Sequence, residues 1–152
     1  MSFKNETPKV GGPLLDVETR LKDAGAVTSS AAAQVDGAAK VLNIGPGKLE
    51  GYINIDVSAL DIASNDEVYQ IIAQFSDSAT FASGIKNGAI LELAATEVAG
   101  GGADDAVIGR YKLPFTNEIN EKVYDYMRLY TKVAGTSPSI NYEGYVTPND
   151  PS

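Results

Sequence analysis

The chain has 152 residues, and its 20 acidic and 12 basic side chains give a net charge of −8. A chain of this length is expected to form one domain with a substantial hydrophobic core. The absence of cysteine and histidine excludes disulfides, Cys/His zinc sites, haem bound through His or Cys, and Ser-His-Asp or Cys-His catalysis. The acidic balance argues against nucleic acid as a partner, because binding phosphates requires clustered Lys and Arg.

The two ends of the chain are polar. Residues 1–13 (MSFKNETPKVGGP) are predicted to form a flexible N-terminal arm, because they hold too little apolar surface to order themselves. Residues 148–152 are predicted to form a flexible tail, which leaves residues 14–147 as a single domain. The arm has no apolar segment of the kind found in secretory signals, and no apolar run is long enough to span a membrane.

The first part of the domain has a weak pattern. Residues 14–27 fit either an opening strand or a short helix, and their periodicity does not decide between the two. Residues 28–40 are rich in Ser and Ala, which predicts irregular structure along the surface. Residues 41–44 predict a short strand, since the turn sequence Gly45-Pro46-Gly47 follows them.

A clear β pattern begins at residue 52. Residues 52–57 alternate, with Ile53, Ile55 and Val57 facing inward and Asn54 and Asp56 facing outward. Residues 67–75 are apolar on one face and half apolar on the other, which predicts a central strand. In the loop that follows, Phe81 is expected to fold back onto the core.

The next two strands surround a glycine-rich loop. Residues 89–98 have helix-forming composition, but their alternation and their β-patterned neighbours favour a strand. Residues 99–105 (AGGGADD) predict a loop. Residues 107–115 then predict a strand that lies at a sheet edge or ends at Pro114, because proline has no N–H to donate. Its inward side chains are Val107, Tyr111, Leu113 and Phe115, and its outward ones are Ile108, Arg110 and Lys112.

Residues 121–133 (EKVYDYMRLYTKV) predict a strand that carries an unusual face. The inward side chains are Val123, Met127, Leu129 and Val133, and the outward ones are Tyr124, Tyr126, Arg128, Tyr130 and Lys132. Tyr and Arg are enriched where proteins bind one another, so this face fits either an interaction surface or an ordinary solvated strand. A last strand follows, with Ile140, Tyr142 and Val146 on its inward face.

The whole chain thus contains seven or eight predicted strands separated by turn sequences. This arrangement predicts an all-β fold, a β-sandwich of the jelly-roll type with an extended N-terminal arm.

Several stretches resemble a known family. They are KDAGAVTSSAA, the short strand that ends in GPG, IIAQFSDSATFASG, and YDYMRLYTKVAGTSPSINYEGYV. Together, over residues 22–147, they resemble the cement or decoration proteins of tailed-bacteriophage capsids, and are similar to the jelly-roll cement protein family of a Bordetella phage. The chain departs from that family in its longer polar N-terminal arm and in the GGGADD loop.

The resemblance implies a structural role without an enzymatic activity, a cofactor or a metal. Such a protein would be made in the host cytoplasm and would bind the outside of an icosahedral shell in the virion. It would act as a homodimer or homotrimer that bridges neighbouring major capsid proteins. The face of Tyr124, Tyr126, Arg128 and Tyr130 would then seal the oligomer. The arm around Phe3, Lys4 and Lys9 would reach the capsid.

Two other functions fit parts of the sequence. Exposed tyrosines beside Asn and Asp suit a carbohydrate-binding, lectin-like sandwich, although the chain lacks the tryptophan that usually stacks on sugars. A carboxylate glycosidase could use two of Glu92, Glu97, Asp104 and Asp105, but with 20 acidic residues some pairs occur by chance. Asp61, Asn65 and Asp66 could bind Ca²⁺, yet their spacing matches no EF-hand loop, and a solvated loop is expected there.

Overall fold

A computed structural model of the chain describes residues 20–94 and 107–147, and every regular element in these residues is a β-strand. None of the described residues forms a helix that could span a membrane. The strands in chain order are β1 (Arg20–Lys22), β2 (Ala26–Val27), β3 (Ala31–Ala32), β4 (Gln34–Val35), β5 (Ala38–Ala39), β6 (Leu42–Asn43), β7 (Glu50–Leu60), β8 (Val68–Ser76), β9 (Lys86–Ala94), β10 (Gly109–Thr116), β11 (Glu118–Ile119), β12 (Lys122–Val123), β13 (Tyr126–Ala134) and β14 (Ile140–Thr147).

Two antiparallel five-stranded sheets contain most of these strands. Sheet I has the order β1-β14-β7-β10, and β2 also pairs with β14. Sheet II has the order β3-β13-β8-β9, and β6 also pairs with β13. The remaining short strands form two small hairpins, β4–β5 and β11–β12. The all-β prediction is therefore confirmed, and the two sheets are those of a β-sandwich.

One hydrophobic core is shared by both sheets. Sheet I contributes the rows Ile53-Ile55-Val57 and Ile140-Tyr142, and sheet II contributes Tyr69-Ile71-Ala73-Phe75 and Met127-Leu129. The rings of Phe75 and Phe115 stack between the sheets with their centroids 6.2 Å apart. Side chains spaced by two residues lie on the same face of a strand. The apolar residues that alternate in the sequence therefore lie together in this core.

Most of the predicted strands are confirmed, and they are longer than expected where pairing extends them. The predicted strand at 52–57 is β7, which runs from residue 50 to residue 60. The predicted central strand is β8, which lies between β13 and β9. The residues from 89 that could have formed a helix are in β9, a strand as far as Ala94, while residues 95–106 lie outside the described residues. Pro114 lies in β10, at the edge of sheet I, as its missing N–H predicted.

Two details of the pattern were wrong, and one outward residue is covered. Val107 was expected to face inward, but it is 65% exposed and precedes β10. Asn54 alternates with the inward Ile53 and Ile55 as predicted, yet it is fully buried, and its amide donates to Thr147 Oγ1 at 3.3 Å. The strand expected from residue 121 begins only at Tyr126. The hairpin β11–β12 precedes it, with Asn120 and Glu121 at positive φ in a two-residue turn.

The Ser/Ala-rich segment forms short strands where irregular structure was predicted. Its two-residue strands β3, β4 and β5 hydrogen-bond to β13 or to each other. Small side chains bury little surface, so backbone pairing with a neighbouring strand orders this segment.

A buried ammonium group ties β1 to the centre of sheet I. Lys22 is 5% exposed, and its Nζ donates to the carbonyl oxygens of Asp23, Gly25 and Tyr142 at 2.8–2.9 Å. The same group lies 4.4 Å from the centroid of the Tyr142 ring. Three acceptors and a ring face replace the water that the charge loses on burial.

Burial makes the stability of the fold depend on pH through Lys22. Desolvation lowers the pKa of Lys22 from 10.5 to about 8, while Asp23 and Glu143 oppose the change. Between about pH 8 and 10.5 the unfolded chain binds more protons at this lysine than the folded chain, so the free energy of unfolding should rise with pH. Urea unfolding should show that Lys22→Met removes about 1–3 kcal/mol of this rise. Lys132→Met, at an exposed lysine, should leave it unchanged, and equal pH profiles for all three proteins would contradict the assignment.

A close backbone approach at the β13–β14 hairpin requires glycine. Gly135 has φ +122°, and a Cβ there would lie 2.8 Å from Glu67 Cα and 2.9 Å from Asp66 O. Gly135→Ala should lower the free energy of unfolding by about 2–4 kcal/mol, because backbone atoms cannot yield as a flexible side chain can. Gly37→Ala is the control, since Gly37 has φ +79° but nothing within 4 Å of an added Cβ. It should cost about 1 kcal/mol, and an equal loss in both variants would contradict the steric argument.

Candidate interaction surface

The outer face of sheet II carries three of the four tyrosine and arginine side chains predicted to share a surface. Met127, Leu129 and Thr131 of β13 are buried. Tyr126, Arg128 and Tyr130 therefore project from the opposite side, where each is partly exposed. We call this outer side of β13, β8 and β9 the tyrosine–arginine face.

Tyr124 does not belong to this face, so that part of the prediction was wrong. It is 5% exposed and lies in the hydrophobic core. Its backbone N–H donates to Asn117 O at 3.0 Å, and its carbonyl accepts from Asn117 Nδ2 at 2.9 Å. The alternation of β13 does not extend back to this residue, because the chain leaves hairpin β11–β12 just before it.

The register of sheet II places the face in cross-strand rows. Tyr130 of β13 lies opposite Ile72 of β8, which lies opposite Ile90 of β9. On one side of this apolar row, Lys132, Gln70 and Glu92 form a polar row in which Gln70 Nε2 donates to Glu92 Oε2 at 3.0 Å. On the other side, Arg128, Gln74 and Asn87 form a second polar row.

Arg128 is held in place from several directions. Its Nε donates to Gln74 Oε1 at 2.9 Å, and Gln74 Nε2 in turn donates to Asn87 Oδ1 at 3.0 Å. The guanidinium lies 4.4 Å from the centroid of the Phe81 ring and 5.7 Å from that of Tyr130. Desolvation lowers the pKa of Arg128, although arginine keeps its charge at neutral pH. A charged group fixed in this way loses little further side-chain entropy when it binds a partner.

Phe81 supports this arginine from a loop. The prediction that it caps the core was wrong: Phe81 is 5% exposed, but it is buried beneath Arg128, on the outer side of the sheet. The loop holds it at φ +54° through its backbone N–H, which donates to Ser78 O at 3.1 Å. Ser78 Oγ also accepts from the N–H groups of Thr80 and Ala82.

Exposed aliphatic side chains extend the apolar part of this region. Ile90, in the central row of the face, is 48% exposed, and Ile85, just before β9, is 40% exposed. Aromatic and aliphatic surface around a fixed arginine is the composition of a protein-binding surface.

Other candidates from the sequence either lie elsewhere or make local contacts. Phe3, Lys4, Lys9, Glu97, Asp104 and Asp105 lie outside the described residues. Asp61 accepts from the Ala63 N–H, and Asp66 binds the Thr136 N–H and hydroxyl, which also lowers the pKa of Asp66. Within residues 20–94 and 107–147, no group of three or more acidic side chains could hold a metal ion.

Sequence reasoning missed the groups that position Arg128. The alternation of residues 67–75 predicts a second, half-apolar face, and Gln70 and Gln74 are the polar residues on that face. Only the pairing of β8 with β13 brings Gln74 beside Arg128, and no local pattern reveals that pairing. Phe81 carried no signal of its destination, because a single aromatic residue in a loop can pack on either side of a sheet.

A comparison of the chain with protein-family models gave no match, and a comparison with curated protein sequences gave none either.

If Phe81 supports Arg128, removing its ring should loosen the arginine. Phe81→Ala should lower the free energy of unfolding by about 2–4 kcal/mol through lost burial. It should also bring the Arg128 Nε–H into fast exchange with water, as measured by side-chain ¹⁵N NMR. Tyr111→Ala, at a partly buried aromatic on sheet I, is the control and should leave this signal unchanged. A protected Nε–H in Phe81→Ala would contradict the role of the ring.

Proposed function

We propose that this protein is a non-enzymatic virion protein that binds the outside of an icosahedral phage capsid as a homodimer or homotrimer. In that position it stabilises the shell by bridging neighbouring major capsid proteins. The observation that carries the proposal is the tyrosine–arginine face, on which Arg128 is held in place by Gln74 and the ring of Phe81. The resemblance of residues 22–147 to phage cement proteins supports the same function.

The strand order supports the jelly-roll interpretation of the sandwich. The short strands β1 and β2 both pair with β14, and β3 and β6 both pair with β13. If each of these pairs is counted as one interrupted strand, both sheets have four members, eight in total. Double-sheet jelly rolls have eight strands and are common in viral capsid and lectin domains.

The tyrosine–arginine face suits contact between copies of the protein. Tyr126 and Tyr130 combine large apolar rings with polar hydroxyl groups, and Arg128 between them is already oriented. Residues of these two types often dominate the binding energy of protein interfaces. With Tyr124 buried in the core, the proposed oligomer contact consists of Tyr126, Arg128 and Tyr130, together with the exposed Ile90.

Shell stabilisation then follows from mass action. A ligand that binds only the assembled, expanded lattice lowers its free energy relative to disassembled subunits. An oligomer offers the shell several contacts at once, and these reinforce one another through effective concentration. Neither effect requires a reactive side chain, a cofactor or a metal.

The direct test adds the purified protein to capsids of the encoding phage that were prepared without it. Sedimentation should show stoichiometric binding, and cryo-electron microscopy should show symmetric density on the outer surface. Tyr126→Ala with Arg128→Ala should shift the free protein toward monomer and weaken capsid binding by about tenfold or more, because truncating an interface anchor costs over 1 kcal/mol.

The matched control is Tyr145→Ala with Arg110→Ala, which removes the same two residue types from the outer side of sheet I. This variant should bind capsids and oligomerise as the natural chain does. A monomer that fails to bind expanded shells but binds glycans on an array would contradict the proposal and support a lectin-like module.

A further inference from the structure

A groove opens at one end of the sandwich. It encloses about 910 Å³ and lies between the edge strand of each sheet, β9 and β10, beside the hairpin β11–β12. Its apolar wall is formed by Tyr52, Ala89, Pro114, Phe115 and Ile119.

Each of the two edge strands has an irregularity beside this groove. In β9, Gly88 and Ala89 together lie opposite the single residue Ala73, which makes a β-bulge. Only glycine fits at the first position, because a Cβ on Gly88 would lie 2.4 Å from the Phe75 ring. In β10, Pro114 offers no N–H for pairing. Each edge of the groove therefore carries a residue, Gly88 or Pro114, that is uncommon inside a regular strand.

The groove is negatively charged at one end. Glu50 and Glu118 are the charged side chains among its described lining residues. Lys48 bridges the two, with its Nζ 3.4 Å from Glu50 Oε2 and 3.1 Å from Glu118 Oε1, and these contacts raise the pKa of Lys48. One lysine against two carboxylates leaves a net charge of −1. An occupant that pairs an apolar side chain with a positive charge would match both parts of the groove.

We infer that the groove binds residues 1–13 of this chain as an extended segment. This stretch contains Lys4 and Lys9 against the single acid Glu6, a net charge of +1, and Phe3 stands directly beside Lys4. This binding mode would place Phe3 against the apolar wall and Lys4 beside Glu50 and Glu118. Among the described residues β9 is the edge strand of sheet II, and its outer edge can supply backbone groups to an added strand, as edge strands do for extended peptides.

The first described residue, Arg20, lies close enough to the groove for the preceding residues to reach it. Arg20, in β1, pairs with Tyr145 of β14, and two residues further along β14 Thr147 pairs with Tyr52 in the groove wall. The chain therefore enters sheet I at the groove end, three strands away from β10. That separation is about 15 Å, and the preceding 19 residues can span about 60 Å, so they reach the groove of their own subunit or of a neighbour.

Photo-crosslinking of the full-length chain tests this inference without a capsid. With p-benzoylphenylalanine in place of Phe3, mass spectrometry should find crosslinks at the groove wall, near Tyr52, Pro114 and Ile119. Mixing ¹⁴N- and ¹⁵N-labelled chains separates crosslinks within a subunit from those between subunits. Crosslinks concentrated elsewhere would overturn the inference, whichever subunit they join.

Charge variants test the specificity of the contact. Glu50→Gln with Glu118→Gln should reduce groove crosslinking by about fivefold, the change expected from losing two exposed ion pairs. The control removes two other exposed carboxylates, Asp36→Asn with Glu121→Gln, and should leave the yield unchanged.

A charge exchange keeps the test decisive if the groove variant is unstable. Lys4→Glu with Lys9→Glu should lower crosslinking in the natural groove and restore it in the Glu50→Gln, Glu118→Gln groove, where Lys48 remains. If the crosslinking yield is the same with and without the Lys4 and Lys9 substitutions in both grooves, the inference is overturned. Crosslinking is measured on the free protein without capsids. The groove contact and the proposed capsid binding can therefore be confirmed or contradicted separately.

Discussion

The register between β8 and β13 is the constraint on which both the core and the tyrosine–arginine face depend. It pairs Leu129 with Ala73 toward the core and Arg128 with Gln74 toward the outside. A slip of one residue would turn every side chain of β13 over, exposing Met127 and Leu129 and burying a charged guanidinium. The hydrophobic effect therefore fixes the register, and the fixed register in turn brings Arg128 within hydrogen-bonding distance of Gln74.

This dependence explains why the tyrosine–arginine face is ordered although it lies on the solvent side of a sheet. The polar row from Arg128 through Gln74 to Asn87 spans three strands, and Phe81 closes the space beneath the guanidinium. An exposed arginine normally loses side-chain entropy when a partner immobilises it. Here folding has already restricted the side chain, which leaves more of any contact energy available for binding.

Much of the fold could be predicted from the sequence, because period-two alternation reports directly which side chains share a face. It identified β7, β8 and β14, their inward rows, and the outward positions of Tyr126, Arg128 and Tyr130. It failed for Tyr124 because a two-residue turn at Asn120 and Glu121 precedes this residue. The alternation of inward and outward side chains in β13 therefore cannot be extrapolated back to it. It also failed for Phe81, whose position depends on hydrogen bonds within a loop and on a strand almost 50 residues later.

Asn87 connects the two surfaces that the fold presents. Its amide oxygen ends the polar row from Arg128, and the same residue lines the groove between β9 and β10. It immediately precedes the bulge at Gly88, so the irregularity that opens the groove also ends the regular part of the face. A partner bound on the face and a segment bound in the groove would thus meet at one strand edge.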